Sequence, residues 1–479
     1  MLASAGISGV VRTPVPITGL TADSRRVLPG YLFAALPGTQ ADGRKFIADA
    51  VASGAAAVLA PSGTAWPPGV PPRPLIEHAE PRRALALLAA AHAGPQPESI
   101  VAVTGTNGKT STVDFIRQLF TEAGRSAASL GTLGVIAPGH DGGTGLTTPD
   151  PVALAETLAH LAREGVRHAA LEASSHGLDQ FRLDGVRLAA AGFSNLTRDH
   201  LDYHGGVDEY RAAKLRLFTD LLPTGAPAVV NADMDPATFS ALRAIATKRR
   251  LDLRTVGETG NWATLLGSTP LPHGQMIHLC AGGRERQMEL ELPGRFQADN
   301  VLLAAALAEA TGLPNVWDLL PHLRGVRGRM EFAARLPNGA AAYVDYAHTP
   351  DALERLLRAL RPHTQQRLIC VFGAGGDRDV GKRPLMGAVA ARLADIAIVT
   401  DDNPRTEDAA SIRAQIMLAC PGAREIGDRA AAIAAALDEA GRGDVVVVAG
   451  KGHEQGQIIG SDVLPFDDAS VVRALAGAT

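Results

Sequence analysis

The chain of 479 residues has little cysteine, few aromatic residues and almost no net charge. Its three cysteines, Cys280, Cys370 and Cys420, are odd in number and widely spaced, which excludes a disulfide scaffold and a CxxC zinc site and is typical of a reducing cytosol. A net charge of −4 provides no basic field for nucleic acid or an anionic membrane, and 4% aromatic residues are too few for base stacking. We therefore expect no nucleic acid and no membrane as partners.

Long apolar runs are also missing. No stretch reaches about 18 apolar residues, so no transmembrane helix is expected. Residues 1–17 lack a basic segment followed by an apolar core, so no secretory signal is expected either. With 51 glycines and 31 prolines the chain is not of a disordered or collagen-like type. At about 150 residues per domain, the length predicts roughly three domains. The cysteine usage and the lack of membrane and secretory segments together predict a cytoplasmic protein.

Strand-like and helix-like patterns alternate along most of the chain, which predicts an α/β fold with parallel sheets and helices on both faces. The first block, residues 1–96, has helical stretches at 46–57 and 81–93 and a proline-rich loop at 61–74. The strands predicted after it are 100–103, 168–172, 188–193, 228–231, 341–345, 368–372, 396–400 and 445–449. The helices predicted after it are 111–123, 151–164, 209–221, 299–310, 350–360, 383–393, 409–419 and 430–440.

One glycine-rich loop carries the clearest chemistry. Residues 104–111 read Thr-Gly-Thr-Asn-Gly-Lys-Thr-Ser, directly after a predicted strand and at the start of a predicted helix. The backbone N–H groups of such a loop bind phosphate, Lys109 would neutralise β/γ-phosphate charge, and the Thr110 hydroxyl would bind Mg²⁺. The spacing is two residues shorter than GxxxxGK[ST], and a plain turn with a surface lysine is the alternative. The predicted ATP-binding residues here are Gly105, Thr106, Asn107, Gly108, Lys109, Thr110 and Ser111.

Several polar residues that follow the glycine-rich loop in the chain each have more than one possible role. Glu172 ends a predicted parallel strand, where ligands usually bind, and suits Mg²⁺; a solvated loop anion is the alternative. His200 and His204 have the i, i+4 spacing of zinc ligands, yet no third nitrogen or sulfur ligand is evident nearby. Ser174 precedes a histidine but lacks the G-x-S-x-G turn of a hydrolase. Lys214 by itself is typical of a surface lysine.

Eleven short motifs together resemble the Mur ligase family of peptidoglycan-precursor amino-acid ligases. In chain order they are TADSR (21–25), QADGR (40–44), GTNGKT (105–110), TTP (147–149), EASSH (172–176), NLTRDHLDYH (195–204), GRME (328–331), DYAHTP (345–350), GDRD (376–379), DNPR (402–405) and GKGHE (450–454). The resemblance implies three α/β domains: a UDP-sugar-binding domain at 1–96, a central parallel-sheet P-loop ATPase at 97–324, and a Rossmann-like amino-acid-binding domain at 325–479.

The resemblance also implies roles for single residues. Lys214 would carry a CO₂-derived carbamate and bind Mg²⁺ together with Thr110, Glu172 and His200, and Lys109, Lys214 and His200 would be catalytic. Asn300, Arg329 and Asp345 would bind the rest of ATP, although Gln297 stands where the family often has asparagine. The residues implied for a UDP-sugar-peptide are Ala22, Ser24, Gln40, Thr147, Thr148, Ser174, Gln180 and Arg182.

The DNPR motif follows a predicted strand and resembles family members that add meso-diaminopimelate. Arg405 can bind the second carboxylate of diaminopimelate through its planar fork, and it would repel the side-chain ammonium of lysine. A proline turn with a capping aspartate is the alternative for the motif alone. The implied diaminopimelate-binding residues are Arg378, Asp402, Asn403, Pro404, Arg405, Gly450 and Glu454.

The resemblance therefore implies a monomeric, cytoplasmic bacterial ligase that uses ATP, through an acyl phosphate, to join meso-diaminopimelate to UDP-N-acetylmuramoyl-L-alanyl-D-glutamate. A folylpolyglutamate synthetase and a lysine-adding Mur ligase are rivals that DNPR disfavours. A non-catalytic P-loop regulator is another. An NAD-dependent oxidoreductase would use the glycines at 373–376, but Arg378 occupies the third glycine position of that fingerprint.

Overall fold

The computed structural model of this chain describes residues 15–38, 41–143, 146–197 and 201–477. The backbone divides into two compact units, and each unit has its own clusters of buried apolar side chains. The first unit extends to Arg254 and includes Leu307–Leu313, and the second comprises Thr255–Ala306 and the chain from Pro314 onward. Within the described residues, every helix is too short or too polar to cross a membrane.

The first unit begins with a four-stranded parallel sheet. Its strands, in spatial order, are β1 (Gly19–Thr21), β2 (Tyr31–Ala34), β3 (Ala57–Pro61) and β4 (Leu75–His78), and its helices are α1 (Ile47–Ala52) and α2 (Pro81–Ala93). The predicted helix at 81–93 is confirmed, and it starts at a proline because the first turn needs no N–H donor there. The helix predicted at 46–57 is shorter, since Gly54 takes a φ of +97° and Ala57 already belongs to β3.

A second sheet of the first unit contains the glycine-rich loop. The strands in this stretch are β5 (Ser99–Thr104), β6 (Ala127–Gly131), β7 (Gly134–Ala137), β8 (His140–Asp141), β9 (His168–Glu172), β10 (Ala190–Phe193), β11 (Pro227–Asn231) and β12 (Asp252–Gly257). The helices are α3 (Lys109–Glu122), α4 (Pro151–Arg163), α5 (Ser175–Asp179), α6 (Leu201–His204), α7 (Val207–Arg216) and α8 (Pro236–Arg249), with a π-helical turn at Leu217–Leu221. The order β11-β10-β5-β9-β6 is parallel throughout, so the carboxyl ends of β5, β9 and β10 lie along one edge.

The second unit starts with an antiparallel meander that the sequence patterns did not predict. It consists of β13 (Ala263–Leu271), β14 (Gly274–Ala281) and β15 (Arg284–Leu290). It is followed by α9 (Arg295–Ala310), whose last residues, from Leu307, are counted with the first unit. Buried and partly exposed residues alternate along β14 from Gln275 onward, as expected for an antiparallel strand with one face packed on the core. Short 3₁₀ turns occur at Ser24–Arg26, Gly43–Phe46, Val316–Asp318, Leu320–His322 and Arg361–His363.

The rest of the second unit is a six-stranded sheet with helices. Its strands are β16 (Glu331–Arg335), β17 (Ala341–Asp345), β18 (Leu368–Phe372), β19 (Ile396–Val399), β20 (Arg424–Glu425) and β21 (Val445–Ala449), beside the hairpin β22 (Gly456–Ile459) and β23 (Asp462–Pro465). Its helices are α10 (Pro350–Leu360), α11 (Lys382–Leu393), α12 (Ala409–Met417), α13 (Arg429–Glu439) and α14 (Asp468–Ala476). The order is β16-β17-β21-β18-β19-β20, and only β16 is antiparallel to its neighbour. The four consecutive valines of β21 are buried because the strand is central and covered on both faces.

A buried ion pair joins two helices of the second unit. Arg429, at the start of α13, donates from Nε and Nη2 to the carboxylate of Asp468, at the start of α14, over 2.7 Å in both cases. Both side chains are completely buried, and Nη2 also donates to the carbonyl oxygen of Ala449. If one partner is removed, the charge of the other therefore stays buried and is not hydrated.

We expect Asp468→Ala to lower the free energy of unfolding by about 3–5 kcal/mol, because it leaves a buried guanidinium unpaired. Asp351→Ala is the matched control, since Asp351 also lies in the first turn of a helix and pairs with Arg355, but its side chain is 73% exposed. The control should cost about 0–1 kcal/mol. Urea denaturation measures both, and equal losses would contradict the expectation.

Candidate active site

The glycine-rich loop lies between β5 and α3, as predicted. Gly108 has a left-handed φ of +83°, and a Cβ on Gly105 would lie 2.0 Å from Oγ of Ser194. The Lys109 ammonium donates to the carbonyl oxygens of Gly105 and Thr106 over 2.9 and 2.8 Å. The lysine is thus held at the N-terminal end of α3, where the helix dipole also favours a bound anion.

The residues that follow β10 brace this loop. The N–H of Thr106 donates to the carbonyl oxygen of Asn195 over 2.8 Å, and the N–H of Asn107 donates to Oδ1 of Asn195 over 3.0 Å. The Ser194 hydroxyl donates to the carbonyl oxygen of Asn107 over 2.6 Å. Asn195 belongs to a motif of the sequence, but its role as a brace depends on contacts between strands that the motif alone does not reveal.

Glu172 lies at the end of β9, next to the loop. Its Oε1 accepts hydrogen bonds from the Thr110 hydroxyl, over 2.9 Å, and from the N–H of Thr132, over 2.8 Å. The residue is only 2% exposed, so the alternative of a solvated loop anion is wrong. A hydroxyl and a buried carboxylate supply the hard oxygen donors that Mg²⁺ prefers, so these residues fit that ion.

Lys214 of α7 lies against the same loop. It is 1% exposed, and its Nζ donates to the carbonyl oxygen of Gly105 over 2.8 Å and lies 4.5 Å from the ring centroid of Tyr210. The alternative of a surface lysine is therefore wrong. The loop, Glu172 and Lys214 come together in one place, although they are far apart in sequence. His200, and with it the zinc alternative, lies outside the described residues, as does Gln40.

Four of the residues predicted for a sugar-peptide, Thr148, Ser174, Gln180 and Arg182, lie around the short helix α5. The hydroxyls of Thr148 and Ser174 lie 2.9 Å apart, and Ser174 Oγ caps the helix by accepting from the N–H of Gly177. Arg182 donates to the carbonyl oxygen of Thr148 over 2.6 Å and to Oε1 of Gln180 over 2.7 Å. Because Ser174 is engaged as a helix cap, the structure lends no support to a serine nucleophile here.

Two further residues of this set, Ala22 and Ser24, follow β1. Ala22 is exposed and Ser24 is half-buried. Between them, Asp23 accepts hydrogen bonds from the backbone and side chain of Arg25, and the Arg25 side chain lowers the pKa of Asp23 to about 2. The turn that presents Ala22 and Ser24 is therefore held by a local ion pair.

The three positions predicted for the rest of ATP lie in the second unit. Asp345 accepts from the N–H groups of Met330 and Ala347 over 2.7 and 2.8 Å, and burial raises the pKa of Asp345 above its usual range. The guanidinium carbon of Arg329 lies 5.1 Å from the ring centroid of Tyr346.

The third of these positions, Asn300, is buried together with its neighbour Gln297. Its Nδ2 donates to Oε1 of Gln297 over 2.9 Å. Gln297, which stands where the family often has asparagine, therefore orients Asn300.

The Asp402–Arg405 segment follows β19 and contacts the loop after β21. Asn403 Nδ2 donates to Oε2 of Glu454 over 2.8 Å, and a Cβ on Gly450 would lie 2.5 Å from Oδ2 of Asp402. Lys451, which is fully buried, donates to Oδ1 of Asn403 over 2.9 Å and approaches Oε2 of Glu454 at 3.3 Å. Sequence reasoning gave Lys451 no role, although it lies inside a motif; its burial between two predicted site residues marks it as a positioning residue.

Arg405 has a strained backbone. Its φ is +53°, in the left-handed region, and its N–H donates to the carbonyl oxygen of Ile458 in β22 over 3.0 Å. Its Nη1 donates to the carbonyl oxygen of Gly376 over 2.8 Å. A non-glycine residue persists in this region only when its surroundings fix it, and such strain is common at functional sites. Arg378, from the same predicted set, is exposed.

The glycines after β18, which suggested an oxidoreductase, have a packing role here. A Cβ on Gly375 would lie 2.8 Å from Nη1 of Arg405, and a Cβ on Gly376 would lie 1.9 Å from the carbonyl oxygen of Pro404. These glycines allow the DNPR segment to approach closely, so their presence is explained without a dinucleotide.

Three family models match the chain. They are described as the Mur ligase family catalytic domain (residues 16–93), the Mur ligase middle domain (103–308) and the Mur ligase glutamate ligase domain (328–452). The three matches confirm the prediction of three α/β domains.

Similar proteins cover nearly the whole chain. A protein of Caulobacter vibrioides named UDP-N-acetylmuramoyl-L-alanyl-D-glutamate--2,6-diaminopimelate ligase is 57% identical over 470 residues, which are 96% of each chain. The protein of Agrobacterium fabrum with the same name is 54% identical over 462 residues, 96% of this chain and 93% of that one. A solved structure of a ligase of this name has a TM-score of 0.73 at 36% identity and covers 98% of this chain and 96% of its own.

We expect Gly131→Ala to weaken Mg²⁺-ATP binding by about tenfold or more, equivalent to about 1.4 kcal/mol. The added Cβ would lie 2.1 Å from Oε1 of Glu172 and displace the carboxylate from Thr110. Gly422→Ala is the control, because a Cβ there meets nothing within 4 Å. Isothermal titration calorimetry measures both variants, and unchanged binding by Gly131→Ala would show that the carboxylate does not contribute.

Proposed function

This chain belongs to the Mur ligase family, and from that membership we propose that it is an ATP-dependent amide-forming ligase. It joins meso-2,6-diaminopimelate to the D-glutamate γ-carboxylate of UDP-N-acetylmuramoyl-L-alanyl-D-glutamate. The names of its relatives, which match over nearly their full length, support this substrate pair. We place the reaction in peptidoglycan precursor synthesis in a bacterial cytoplasm, carried out by a monomer.

The observation that carries the proposal is the arrangement around the phosphate loop. Lys109, the Thr110–Glu172 pair and the buried Lys214 all lie against one glycine-rich turn. A cation and hard oxygen donors beside a helix N-terminus are what transfer of a phosphoryl group from ATP requires.

In the first step, a γ-carboxylate oxygen of the D-glutamate attacks the γ-phosphorus of ATP, ADP leaves, and an acyl phosphate forms. The Lys109 ammonium offsets charge on the transferring group, and the loop N–H groups hold the phosphates. Mg²⁺, held by Thr110, Glu172, His200 and a Lys214 carbamate, would supply further positive charge to the phosphate oxygens. Thr148, Ser174 and Arg182 bind the sugar-peptide and orient its carboxylate.

In the second step, a neutral amine of diaminopimelate attacks the acyl carbon and the bond from that carbon to the phosphate oxygen breaks. The amine gives up one proton, which leaves with the phosphate, and the amide remains. Arg405 binds the distal carboxylate of diaminopimelate, and Glu454 binds its distal ammonium. Asn403 and Lys451 hold Glu454 in place through their hydrogen bonds. Lysine lacks the distal carboxylate, so it loses the contact with Arg405 and also meets repulsion.

We expect Arg405→Ala to remove most of the preference for diaminopimelate over lysine. A charge-assisted bidentate contact is worth about 1.5–3 kcal/mol, so the ratio of kcat/KM values should fall about 10–100-fold, through a loss for diaminopimelate. Phosphate release with UDP-N-acetylmuramoyl-dipeptide and each amino acid measures the ratio. Arg358→Ala is the control, because Arg358 is exposed and pairs with Glu354.

The same assay tests the rival functions. Phosphate release with glutamate in place of diaminopimelate would favour a folylpolyglutamate-type ligase. If the protein binds ATP in a separate binding measurement but releases neither phosphate nor ADP with any pair of acceptor and amino acid, a non-catalytic regulator is favoured. An unchanged preference in Arg405→Ala would contradict the proposed selectivity while leaving the ligase activity itself intact.

We expect Lys214, once its ammonium has lost a proton to solvent, to add to CO₂ and release a second proton, since the resulting carbamate replaces a buried ammonium by a carboxylate-like Mg²⁺ ligand. In ¹³C-bicarbonate the wild type should give a carbamate carbon signal by NMR. Lys214→Arg should lack the signal and lose about 100-fold or more of kcat, because arginine keeps the positive charge at a site built for a ligand of Mg²⁺. Lys248→Arg is the control at an exposed lysine, and it should change neither the carbamate signal nor kcat. A signal that persists in Lys214→Arg would contradict the assignment.

A further inference from the structure

Two histidines and a glutamate to which the proposed function gives no role come together on the surface of the first unit. His140 Nε2 lies 2.8 Å from Oε2 of Glu164, and His160 Nε2 lies 3.3 Å from Oε1 of the same carboxylate. One potential ligand atom from each of the three residues lies within 4.8 Å of the other two. The side chains are between 33% and 54% exposed, so an ion from solution can reach them.

The backbone brings the three residues together from two elements. His160 lies in the last turn of α4, and Glu164 caps that helix, so the i, i+4 spacing places both side chains on one face. His140 begins β8 and comes from the antiparallel hairpin with β7, in which it pairs with Ala137. His140 Nε2 donates to Oε2 of Glu164 across 24 residues of sequence, and this hydrogen bond lowers the pKa of Glu164 below its usual range.

We propose that His140, His160 and Glu164 form a binding site for one divalent transition-metal ion, with Zn²⁺ as the ion of best fit. Two imidazoles and one carboxylate are a common three-residue ligand set for zinc, with a fourth position left to water. Ligand atoms that bind zinc at about 2.0–2.1 Å in a tetrahedron lie roughly 3.3 Å apart. Here the histidine nitrogens lie 2.8 and 3.3 Å from the two carboxylate oxygens, and one ligand atom from each of the three residues lies within 4.8 Å of the other two. Imidazole nitrogen selects transition metals over Mg²⁺, so this site is chemically distinct from the oxygen donors of Thr110 and Glu172.

Such an ion would tie the β7–β8 hairpin to the C-terminal end of α4. In the chain, β8 precedes and α4 follows the segment that carries Thr147 and Thr148, so the ion would cross-link the two elements on either side of that segment. The expected role is structural, since among the described residues the hydrogen bonds, ion pairs and ring contacts of these three side chains are with one another. Folded-state binding of this kind raises the melting temperature as the ion concentration increases.

The test is Zn²⁺ binding by the full-length, chelator-treated protein in competition with a chromophoric chelator. We expect His140→Ala/His160→Ala to bind one equivalent of Zn²⁺ fewer than the wild type, or to bind it about 100-fold or more weakly, because losing direct ligands should cost at least what losing their partners costs. Zn²⁺ should raise the melting temperature of the wild type more than that of the variant. Phosphate release by the ligase in Mg²⁺ without Zn²⁺ should be the same for both.

His278→Ala is the matched control. His278 pairs with Glu285 at 3.1 Å on an exposed strand surface, but this is a histidine–glutamate pair without a second histidine. The control should bind as much Zn²⁺ as the wild type. X-ray absorption of the zinc-loaded wild type should show nitrogen and oxygen ligands and no sulfur. Equal stoichiometry and affinity in the double variant, or sulfur ligation, would overturn the proposal and leave the three residues as a surface ion pair only.

Discussion

The chemistry of the first unit depends on one buried carboxylate. Glu172 ends β9 with its oxygens out of water, and the hydroxyl of Thr110 and the N–H of Thr132 hold it beside the phosphate loop. A buried carboxylate without such donors, or without a cation, would cost several kcal/mol. The glycine at 131 is required for this position, because any side chain there would occupy the space of the carboxylate. A glycine at position 131 is therefore needed for the packing that holds the Glu172 carboxylate in the candidate site.

In the second unit, too, glycines are needed for close packing beside the candidate site. Gly375 and Gly376 leave room for the segment from Pro404 to Arg405, and Arg405 takes a left-handed backbone that the β22 strand holds in place. Lys451 is buried between Asn403 and Glu454, so its charge is matched within the set of residues that we assign to the amino acid. Rigid support of this kind keeps a selective arginine in a fixed position, which is what discrimination between two similar amino acids requires.

The patterns of the chain predicted the long elements well and the irregular ones poorly. The buried runs that became β5, β9, β17, β18 and β21, and the helices at α2, α4 and α10, were identified because burial on both faces, proline at the first turn and helical periodicity leave clear local signals. The meander of β13 to β15 was missed, since β13 contains Gly267 and Pro270 and β15 is mostly polar, so neither strand has a regular alternation of polar and apolar residues. The helix expected at 46–57 was cut short by a glycine with positive φ.

The sequence by itself determined the phosphate loop, the α/β class and, through its motifs, the candidate residues, because these depend on local spacing and on residue chemistry. Only the tertiary structure decided that Lys214 is buried against Gly105, that Asn195 braces the loop, and that Lys451 joins Asn403 to Glu454. Such contacts join residues far apart in the chain. Their burial and hydrogen bonding follow from how strands and helices pack, and packing leaves no local mark on the sequence.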